Sequence, residues 1–386
     1  MQENFKVAED NFGPEYVLKV QDVKLGMKGF LVIHNTILGP GKGGIRMTSG
    51  VSEEEVGRLA STMTWKNATA GIPFGGAKAG IVWPGGDDEK KKAFVQSFAL
   101  AIKPFLIKKY IAGPDVNTGE REMQWFAEAV GNWRSVTGKP ANYCVESVGG
   151  GKKCGIPHEF GSTGFGVSRA TKIAAQYAKL PLNGATVAIH GFGNVGTFTY
   201  KFLTEMGAKV VLLADVSGAV YMEKGFDKKA VEDAIASKKL LSDVFGSAKI
   251  PAEDFWKIPI DILIPASVTD VINESNKNDI KAKIIIEAGN IPMRENIEDE
   301  LFQKGIIIVP DFLANAGGVI SSYAEYRGFT PEKMFELVEK KIEKATSLVM
   351  KQSLKNKLNP RKVALELAKK KIEAKMSNVK SVFNRE

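Results

Sequence analysis

The chain has 386 residues, more than one hydrophobic core usually organises, and this length predicts two domains. A composition of 44% hydrophobic and 25% charged residues excludes a disordered or fibrous protein. The sequence lacks both a run of about 18 apolar residues and the basic, then apolar, profile of a signal peptide, so we expect a cytoplasmic protein with no membrane partner.

The formal net charge of +9 does not by itself predict a nucleic-acid partner. The lysine excess is greatest between Lys340 and Lys380, where apolar residues recur at helical spacing and the pattern is interrupted near Pro360. Lysines on such an amphipathic helix usually form a solvated face. We therefore expect no nucleic-acid binding.

Two cysteines, Cys144 and Cys154, are too few for a disulfide scaffold in a chain of this length, so we expect reduced thiols. Together with His158 they are the only candidates for a metal-ligand set in this region. Their spacing lacks the close cysteine pair that is typical of a zinc site. We expect no metal.

The first part of the chain is predicted to mix strands with helices. Ser52 is a candidate helix N-cap with Glu55 three residues on, and apolar residues then recur at helical intervals to Ala70, before Gly71 and Pro73. Strands are predicted at residues 16–20, 30–33 and 78–83, and further helices at about 90–109 and 121–133.

The pattern changes after an aperiodic, glycine-rich stretch at 138–164, which we interpret as the connection between domains. A βαβ unit is then predicted from a helix at 166–179, a strand at 186–190, a helix at 195–206 and a strand at 209–214. Nearly continuous β-branched runs at 261–264, 283–286 and 306–309 are typical of strands buried on both faces.

The predicted fold class is therefore α/β. An N-terminal α/β substrate domain occupies residues 1–160, and a doubly wound Rossmann-type dinucleotide-binding domain occupies residues 161–319. Helices at about 320–386 are expected to return to the first domain and complete it.

Gly191, Gly193 and Gly196 form a GxGxxG motif directly after a predicted strand and at the start of a helix that begins at Val195. Such glycines permit a tight turn and a close approach of the backbone to a pyrophosphate, whose charge faces the N–H groups of the helix. The motif alone is weak, but its place inside a βαβ unit predicts dinucleotide binding.

Asp215 ends the second strand of this unit, 19 residues after Gly196, where a carboxylate accepts hydrogen bonds from an adenosine ribose. It favours NAD over NADP by repelling a 2′-phosphate, but Lys209 or Lys224 nearby would offset that effect. The predicted cofactor is therefore NAD or NADP. Asn290, after a later strand, is a candidate for holding the nicotinamide ribose or, alternatively, a turn residue.

Three lysines in the first domain lie among glycines or in a mostly apolar helix: Lys42 in GPGKGGIR, Lys66 at the end of TMTWK and Lys78 in PFGGAKAG. A single lysine is normally solvated. Glycines remove neighbouring side chains, however, and a lysine that is taken out of water can lose its proton near neutral pH. Together the three lysines predict a site for an anionic substrate.

Two further segments carry candidate polar residues. Asp115 follows Gly and Pro in the loop GPDVNTGE, where it either presents a carboxylate for proton transfer or simply forms a turn. Asn315 and Ser322 follow the last predicted strand in ANAGGVISS, where the glycine pair is expected to begin a returning helix.

These motifs, in their order and spacing from about Val32 to Tyr326, resemble the glutamate, leucine, phenylalanine and valine dehydrogenase superfamily, and its glutamate branch most. The resemblance implies oxidative deamination of L-glutamate to 2-oxoglutarate and ammonia, with hydride transfer to NAD or NADP. It also implies a homo-oligomer.

The resemblance also implies residue roles. Lys78 would activate water and polarise the oxygen on the substrate carbon, and Asp115 would exchange protons with the amino nitrogen. Lys66 would bind the α-carboxylate, and Lys42 and Ser322 the side-chain carboxylate. The remaining matched positions are Thr163 beside that carboxylate, Asn194 and Asn290 at the cofactor, and Asn315 near the amino-acid group of the substrate.

Two alternatives stay open. This chain has the longer segment 143–163 where the family has a short Gly-Ser-Gly-Arg loop, and its N-terminal segment is shorter than in typical members of the glutamate branch. These two departures motivate the first alternative, the same reaction on a branched-chain or aromatic L-amino acid. The other alternative is a dinucleotide-binding regulator or nucleic-acid binder without catalysis. The complete set of Lys66, Lys78 and Asp115 argues against it.

Overall fold

The computed structural model of the protein describes residues 7–146 and 151–383. The chain divides into two compact units, the first from residues 1–160, 319–337 and 365–386 and the second from residues 161–318 and 338–364. Residues 338–364 therefore group with the second unit, whereas the sequence prediction assigned everything after about 320 to the first domain.

The first unit is built on a mixed sheet. Its strands are β1 (Tyr16–Asp22), β2 (Met27–Asn35), β3 (Gly41–Lys42), β4 (Ile45–Thr48), β5 (Gly75–Val82) and β6 (Tyr110–Ile111). They lie in the order β1-β2-β5-β3-β6, and β4 also pairs with β5. Strand β5 is central: it runs antiparallel to β2 and parallel to β3 and β4.

Three helices pack with this sheet: α1 (Glu53–Ala70), α2 (Asp88–Ala101) and α3 (Glu120–Val130). The predicted N-cap is confirmed, because Ser52 Oγ accepts a hydrogen bond from Glu55 N at 3.2 Å. Gly71 ends the helix with φ of 67°, a conformation that glycine adopts without strain. The main core combines sheet and helix residues, including Leu31, Ile33, Ile81, Phe94, Phe98 and Phe126.

A two-stranded hairpin of β7 (Cys144–Glu146) and β8 (Lys152–Cys154) lies in the stretch that was predicted to have no regular structure. The prediction of reduced thiols is wrong, because the Sγ atoms of Cys144 and Cys154 form a disulfide. The two cysteines are directly paired across the antiparallel strands, with their Cα atoms 4.0 Å apart. Local strand pairing, which a cysteine count does not reveal, brings them together.

The second unit has a sheet of β9 (Thr186–His190), β10 (Lys209–Asp215), β11 (Gly218–Tyr221), β12 (Lys249–Ile250), β13 (Ile262–Pro265), β14 (Ile284–Ile286) and β15 (Ile307–Val309). Their order is β12-β11-β10-β9-β13-β14-β15. Strands β10, β9, β13, β14 and β15 are parallel, which confirms the doubly wound prediction. The antiparallel edge of β11 and β12 was not predicted. The chain order reverses at β9, the position where open α/β sheets bind ligands.

The helices of the second unit are α4 (Ser162–Tyr177), α5 (Asn194–Glu205), α6 (Lys228–Ala236), α7 (Leu241–Phe245), α8 (Glu295–Gln303) and α9 (Asp311–Ala314). They are followed by α10 (Gly317–Arg327), α11 (Pro331–Asn356) and α12 (Pro360–Phe383). The predicted interruption near Pro360 is confirmed, because α12 begins there. No helix in the described ranges combines the length and apolarity needed to cross a bilayer.

Candidate active site

Three short parallel pairings of the first unit bring the predicted lysine and aspartate positions to neighbouring strands. Lys42 on β3 is paired with Gly76 of β5 and with Ile111 of β6. Lys78 is two residues further along β5, and Asp115 follows β6. The glycines permit this arrangement, since a Cβ on Gly43 would lie 1.6 Å from the carbonyl oxygen of Ala77.

Lys78 and Asp115 form an ion pair in which Nζ lies 2.9 Å from Oδ2. The Lys78 side chain is buried and that of Asp115 is mostly buried. Burial raises the pKa of Asp115, but the positive charges of Lys78 and Arg46 outweigh it, so that the net pKa lies below its usual value. The pair therefore joins a carboxylate to a cation that can donate a proton.

Arg46 is a residue that the sequence reasoning missed, although it lies in the quoted motif GPGKGGIR. Its Nε donates to Asp115 Oδ2 at 3.1 Å and its Nη1 to Glu55 Oε1 at 2.5 Å. The guanidinium group thereby fixes the orientation of the Asp115 carboxylate. The signal that would have found it is its place four residues after Lys42 on the same glycine-rich segment.

Lys42 is almost completely buried, with 3% of its surface exposed, and its Nζ donates to the carbonyl oxygen of Ala112 at 2.7 Å. Burial lowers the pKa of Lys42 to about 7, an effect that Glu325 opposes and Lys139 and Lys78 enhance. The glycine-rich context predicted a shift in this direction.

Lys66 lies on α1 and is partly buried. Its relation to the other residues is indicated by His158, whose pKa is lowered mainly by desolvation and further by Lys42 and Lys66, with Glu159 and Asp115 opposing. His158 nevertheless has an exposed surface. One side chain thus lies within electrostatic range of Lys42, Lys66 and Asp115, and the sequence reasoning had considered it only as a metal ligand.

Ser322 lies on α10 and is partly buried. Glu325, three residues later on the same helix, is completely buried and forms an ion pair with the equally buried Lys139, with 2.5 Å between Oε1 and Nζ. Neither residue of that pair was identified from the sequence.

In the second unit the glycine motif forms the predicted turn. Gly191 has φ of 104°, and a Cβ on Gly196 would lie 2.0 Å from the carbonyl oxygen of Gly191, so both positions require glycine. A Cβ on Gly193 would meet nothing within 4 Å, which leaves open space before the N-terminus of α5. Asn194 and Val195 begin this helix, whose first N–H groups suit a phosphate.

Asp215 ends β10, as predicted, but its carboxylate is already bound by its own chain. Oδ1 accepts from Ser217 N at 2.7 Å and Ser217 Oγ at 2.5 Å, and Oδ2 accepts from Leu241 N at 2.8 Å. These contacts fix the carboxylate; Oδ1 has both lone pairs engaged, whereas Oδ2 keeps one for a further donor. Ser217 was missed because it follows the strand instead of ending it.

Asn290 and Asn315 are brought together at the carboxyl ends of the parallel strands. Asn315 Nδ2 donates to Asn290 Oδ1 at 3.2 Å and to the carbonyl oxygens of Ala288 and Gly289 at 3.3 Å. Asn315 Oδ1 is buried and has no hydrogen-bond partner within residues 7–146 and 151–383. A buried acceptor of this kind needs a donor, and the carboxamide of a nicotinamide supplies one. The open turn and this acceptor fit a dinucleotide.

Thr163 lies in the first turn of α4 and belongs to the second unit, whereas Lys42 and Ser322 belong to the first. It lies next to Ser162, whose carbonyl oxygen would be 2.0 Å from a Cβ on Gly317. Gly317 therefore has to be glycine for α4 and the start of α10 to approach each other. No group of three or more His, Cys, Asp or Glu side chains suited to a metal occurs in the described ranges.

A buried charge cluster lies behind the Asn290–Asn315 pair. Arg361 donates to Glu287 through Nη2 at 2.5 Å, to Glu298 through Nε at 2.5 Å and to Asp311 through Nη1 at 3.0 Å. Asp311 also accepts from Ile291 N at 3.0 Å, and its own N–H donates to Glu287 at 2.8 Å. The cluster ties the segment after β14 to the start of α9.

Two family models match the chain. The model described as Glutamate/Leucine/Phenylalanine/Valine dehydrogenase matches residues 154–379, and the dimerisation domain of the same dehydrogenases matches residues 14–132. The chain belongs to the Glu/Leu/Phe/Val dehydrogenase family. The resemblance given by the sequence motifs is thereby confirmed.

Relatives and solved structures of this family are similar over most of the chain. The NADP-specific glutamate dehydrogenase of Saccharolobus shibatae is 36% identical over 81% of this chain and 75% of its own, and the NAD-specific glutamate dehydrogenase of Staphylococcus aureus is 34% identical over 87% and 82%. The crystal structure of glutamate dehydrogenase from Peptoniphilus asaccharolyticus is 28% identical, covers 94% of this chain and 91% of its own, and has a TM-score of 0.79. The two-domain α/β fold is that of this family.

Proposed function

We propose that the protein catalyses the reversible, NAD- or NADP-dependent oxidative deamination of L-glutamate to 2-oxoglutarate and ammonia. The observation that carries this proposal is the ion pair of Lys78 and Asp115, in which Lys78 lies on the strand next to that of a buried lysine, Lys42. The first two residues supply proton transfer, and Lys42 supplies a cation for a second carboxylate. The names of the similar dehydrogenases support the same reaction.

In the proposed mechanism Lys66 binds the α-carboxylate, and Lys42 with Ser322 binds the side-chain carboxylate, with Thr163 contributing beside them. Asp115 exchanges a proton with the amino nitrogen, held in orientation by Arg46. Lys78 activates the water that replaces nitrogen and polarises the oxygen formed on the substrate carbon.

A bound nicotinamide cofactor would supply the acceptor for the hydride that leaves the substrate Cα. Its pyrophosphate would be held by the turn of Gly191, Gly193 and Gly196 and by the first residues of α5, Asn194 and Val195. Asp215 would accept from the adenosine ribose, which favours NAD, and Asn290 would hold the nicotinamide ribose. Asn315, with its unpaired Oδ1, would bind near the nicotinamide and the amino-acid group of the substrate.

We also propose a cytoplasmic homo-oligomer. A dehydrogenase of this kind depends on a recycled nicotinamide nucleotide, which cells retain in the cytoplasm. The match of residues 14–132 to a dimerisation domain supports self-association. The number of subunits is tested by light scattering on the purified protein.

The test of substrate class is an assay of reduced nicotinamide consumption with ammonia and a panel of 2-oxo acids, run with NADH and NADPH. We expect 2-oxoglutarate to be preferred. The substitution Lys42→Leu should lower kcat/KM for glutamate about 10- to 100-fold, because the charge-assisted contact with the side-chain carboxylate of the substrate is lost. Faster turnover of leucine or phenylalanine by the unaltered protein would instead favour a dehydrogenase of apolar amino acids.

A second prediction concerns Gly113, whose missing side chain makes room for Lys42. A Cβ at this position would lie 2.4 Å from Lys42 Nζ, the mobile end of its side chain. In Gly113→Ala the ammonium group should therefore move away from Ala112 while the backbone stays in place, and kcat/KM for glutamate should fall about 10- to 100-fold. Gly50→Ala is the matched control, because a Cβ there meets nothing within 4 Å. Equal loss in both variants would contradict the prediction.

A further inference from the structure

Glu325 is a completely buried carboxylate that the proposed mechanism does not use. It lies on α10, three residues after Ser322, so the two side chains point to the same side of the helix. Its Oε2 accepts hydrogen bonds from Gly138 N at 2.7 Å and from Ile156 N at 2.9 Å. Its Oε1 lies 2.5 Å from Lys139 Nζ.

The two backbone groups that Glu325 binds flank a single excursion of the chain. Gly138 precedes and Ile156 follows residues 139–155, which include the disulfide-linked hairpin of β7 and β8. One carboxylate oxygen therefore fastens both ends of this excursion. A Cβ on Gly155 would lie 2.3 Å from the carbonyl oxygens of Lys139 and Pro140, so the two ends also touch each other.

Lys139 is held as firmly as its partner. Its Nζ donates to the carbonyl oxygen of Val136 at 2.5 Å and lies 3.8 Å from the centre of the Trp133 ring. No part of the side chain is exposed. The positive charge of Lys139 therefore has a fixed position. Its acidic partner is Glu325.

Lys42 is joined to this pair through the carbonyl oxygen of Ala112, which accepts from Lys42 Nζ at 2.7 Å and from Thr137 N at 3.0 Å, and Thr137 precedes the Gly138 that Glu325 binds. Both members of the pair act on the charge of Lys42. Glu325 raises its pKa, whereas Lys139 and Lys78 lower it. Two other titratable groups lie near Lys42. One is His158, whose pKa the charge of Lys42 lowers, and the other is Tyr110, whose hydroxyl donates to the carbonyl oxygen of Gly43 at 3.0 Å. Glu325 is thus the one negative charge among the groups that shift the pKa of Lys42.

We propose that Glu325 is a positioning residue for side-chain specificity: its carboxylate fixes both ends of the 139–155 excursion and places a buried negative charge beside the site of Lys42, which receives a second substrate carboxylate. This inference rests on the proposed function, in which Lys42 binds the side-chain carboxylate of glutamate. Lys139 acts in the opposite direction, because its fixed positive charge favours the neutral form of Lys42.

The test compares 2-oxoglutarate with 2-oxopentanoate, which lacks the second carboxylate. Both are reduced with the same ammonia and cofactor. Groups that act equally on both substrates therefore do not affect the ratio of the two kcat/KM values, and the pH dependence of this ratio reports only groups that interact with the second carboxylate. In the unaltered protein this ratio should fall as the pH rises through the pKa of Lys42, about 7. In Glu325→Gln the fall should occur about one pH unit lower, and in Lys139→Met it should occur at higher pH.

Either single variant leaves a buried charge without its partner, and such a loss can prevent folding. The double variant Glu325→Gln, Lys139→Met removes both charges, and its ratio should still fall at lower pH than in the unaltered protein, because the effect of Glu325 on Lys42 exceeds that of Lys139. Glu325→Asp, which keeps the charge, should leave the midpoint in place.

Glu53→Gln is the matched control, since Glu53 is also buried and is paired with Lys19 at 2.6 Å. It should leave the ratio profile unchanged. Variants that lose activity equally on both 2-oxo acids with no shift in the profile would overturn the role of Glu325 and leave the proposed function intact. Absence of 2-oxoglutarate reduction by the unaltered protein would instead overturn the proposed function.

Discussion

Replacing Lys78 by methionine should lower kcat for glutamate oxidation about 10²- to 10⁴-fold, the usual contribution of a positioned acid or base. Lys78 Nζ lies 2.9 Å from Asp115, and the Lys78 side chain is buried. Bulk water therefore has little access to take over the role of the missing ammonium group. Methionine has a similar length and no charge, which preserves packing. Steady-state kinetics with thermal unfolding of the same sample measure the effect.

The loss of Lys78 should also change the pH dependence of what activity remains. Lys78 is one of the two cations that hold the pKa of Asp115 below its usual value. Without it the carboxylate takes up a proton at higher pH, so the acidic limb of the residual rate should move upward. Lys91→Met is the control, since Lys91 pairs with the buried Glu122 at 3.1 Å in the same unit. A kcat for Lys78→Met close to that control would refute the role of Lys78.

Replacing Arg361 by methionine should have the largest effect on stability, a loss of about 3–5 kcal/mol in the free energy of unfolding. Arg361 is the cation bound by Glu287, Glu298 and Asp311, and two of these acids have no exposed surface. Without it, three buried carboxylates face each other. For a chain of this size we expect the Tm to fall by about 5 °C.

The deficit of Arg361→Met should depend on pH in a defined direction. Burial raises the pKa of both Glu287 and Glu298, an effect that Arg361 opposes. A carboxyl group with a raised pKa in the folded state contributes fully to stability below its unfolded pKa, and this contribution is lost as the pH rises through its folded value. The variant should therefore be closest to the unaltered protein at about pH 5 and furthest from it near pH 8.

Lys362→Met is the control for Arg361, because it removes the neighbouring but exposed ion pair with Asp299, 2.8 Å long. Its unfolding should change little at either pH. Unfolding curves for both variants in urea at the two pH values decide the matter. A deficit of Arg361→Met that is equal at both would show that packing, and not charge, is what the arginine supplies.

Local rules predicted turns and helix ends well. The glycine turn at 191–196 was predicted because a stretch of about 20 residues contains both the required glycines and the buried strand that precedes them. The N-cap at Ser52 and the helix break at Pro360 were predicted for the same reason. The hairpin of β7 and β8 and the antiparallel β11 and β12 were not predicted, since strands of two to four residues carry too little pattern.

The charged residues that organise the site were found less completely. Lys42 and Lys78 were recognised by the glycines beside them, and Asn315 by its family motif. Glu325 lies 187 residues from Gly138, and Arg361 lies 74 residues from Glu287, so only the folded chain brings each pair together. The residues next to Glu325 or Arg361 in the sequence do not indicate that each side chain will pair with a buried group that is distant in the chain.

The first unit is assembled from three separate stretches of the chain, and most of α10 lies in the second of them. A ribosome that has made residues 1–160 has therefore produced every lysine of the site but neither Ser322 nor the carboxylate that Gly138 and Ile156 require. The proposed substrate site is therefore incomplete during translation until α10 has emerged. A premature stop codon before α10 should therefore yield a fragment with no residual catalysis.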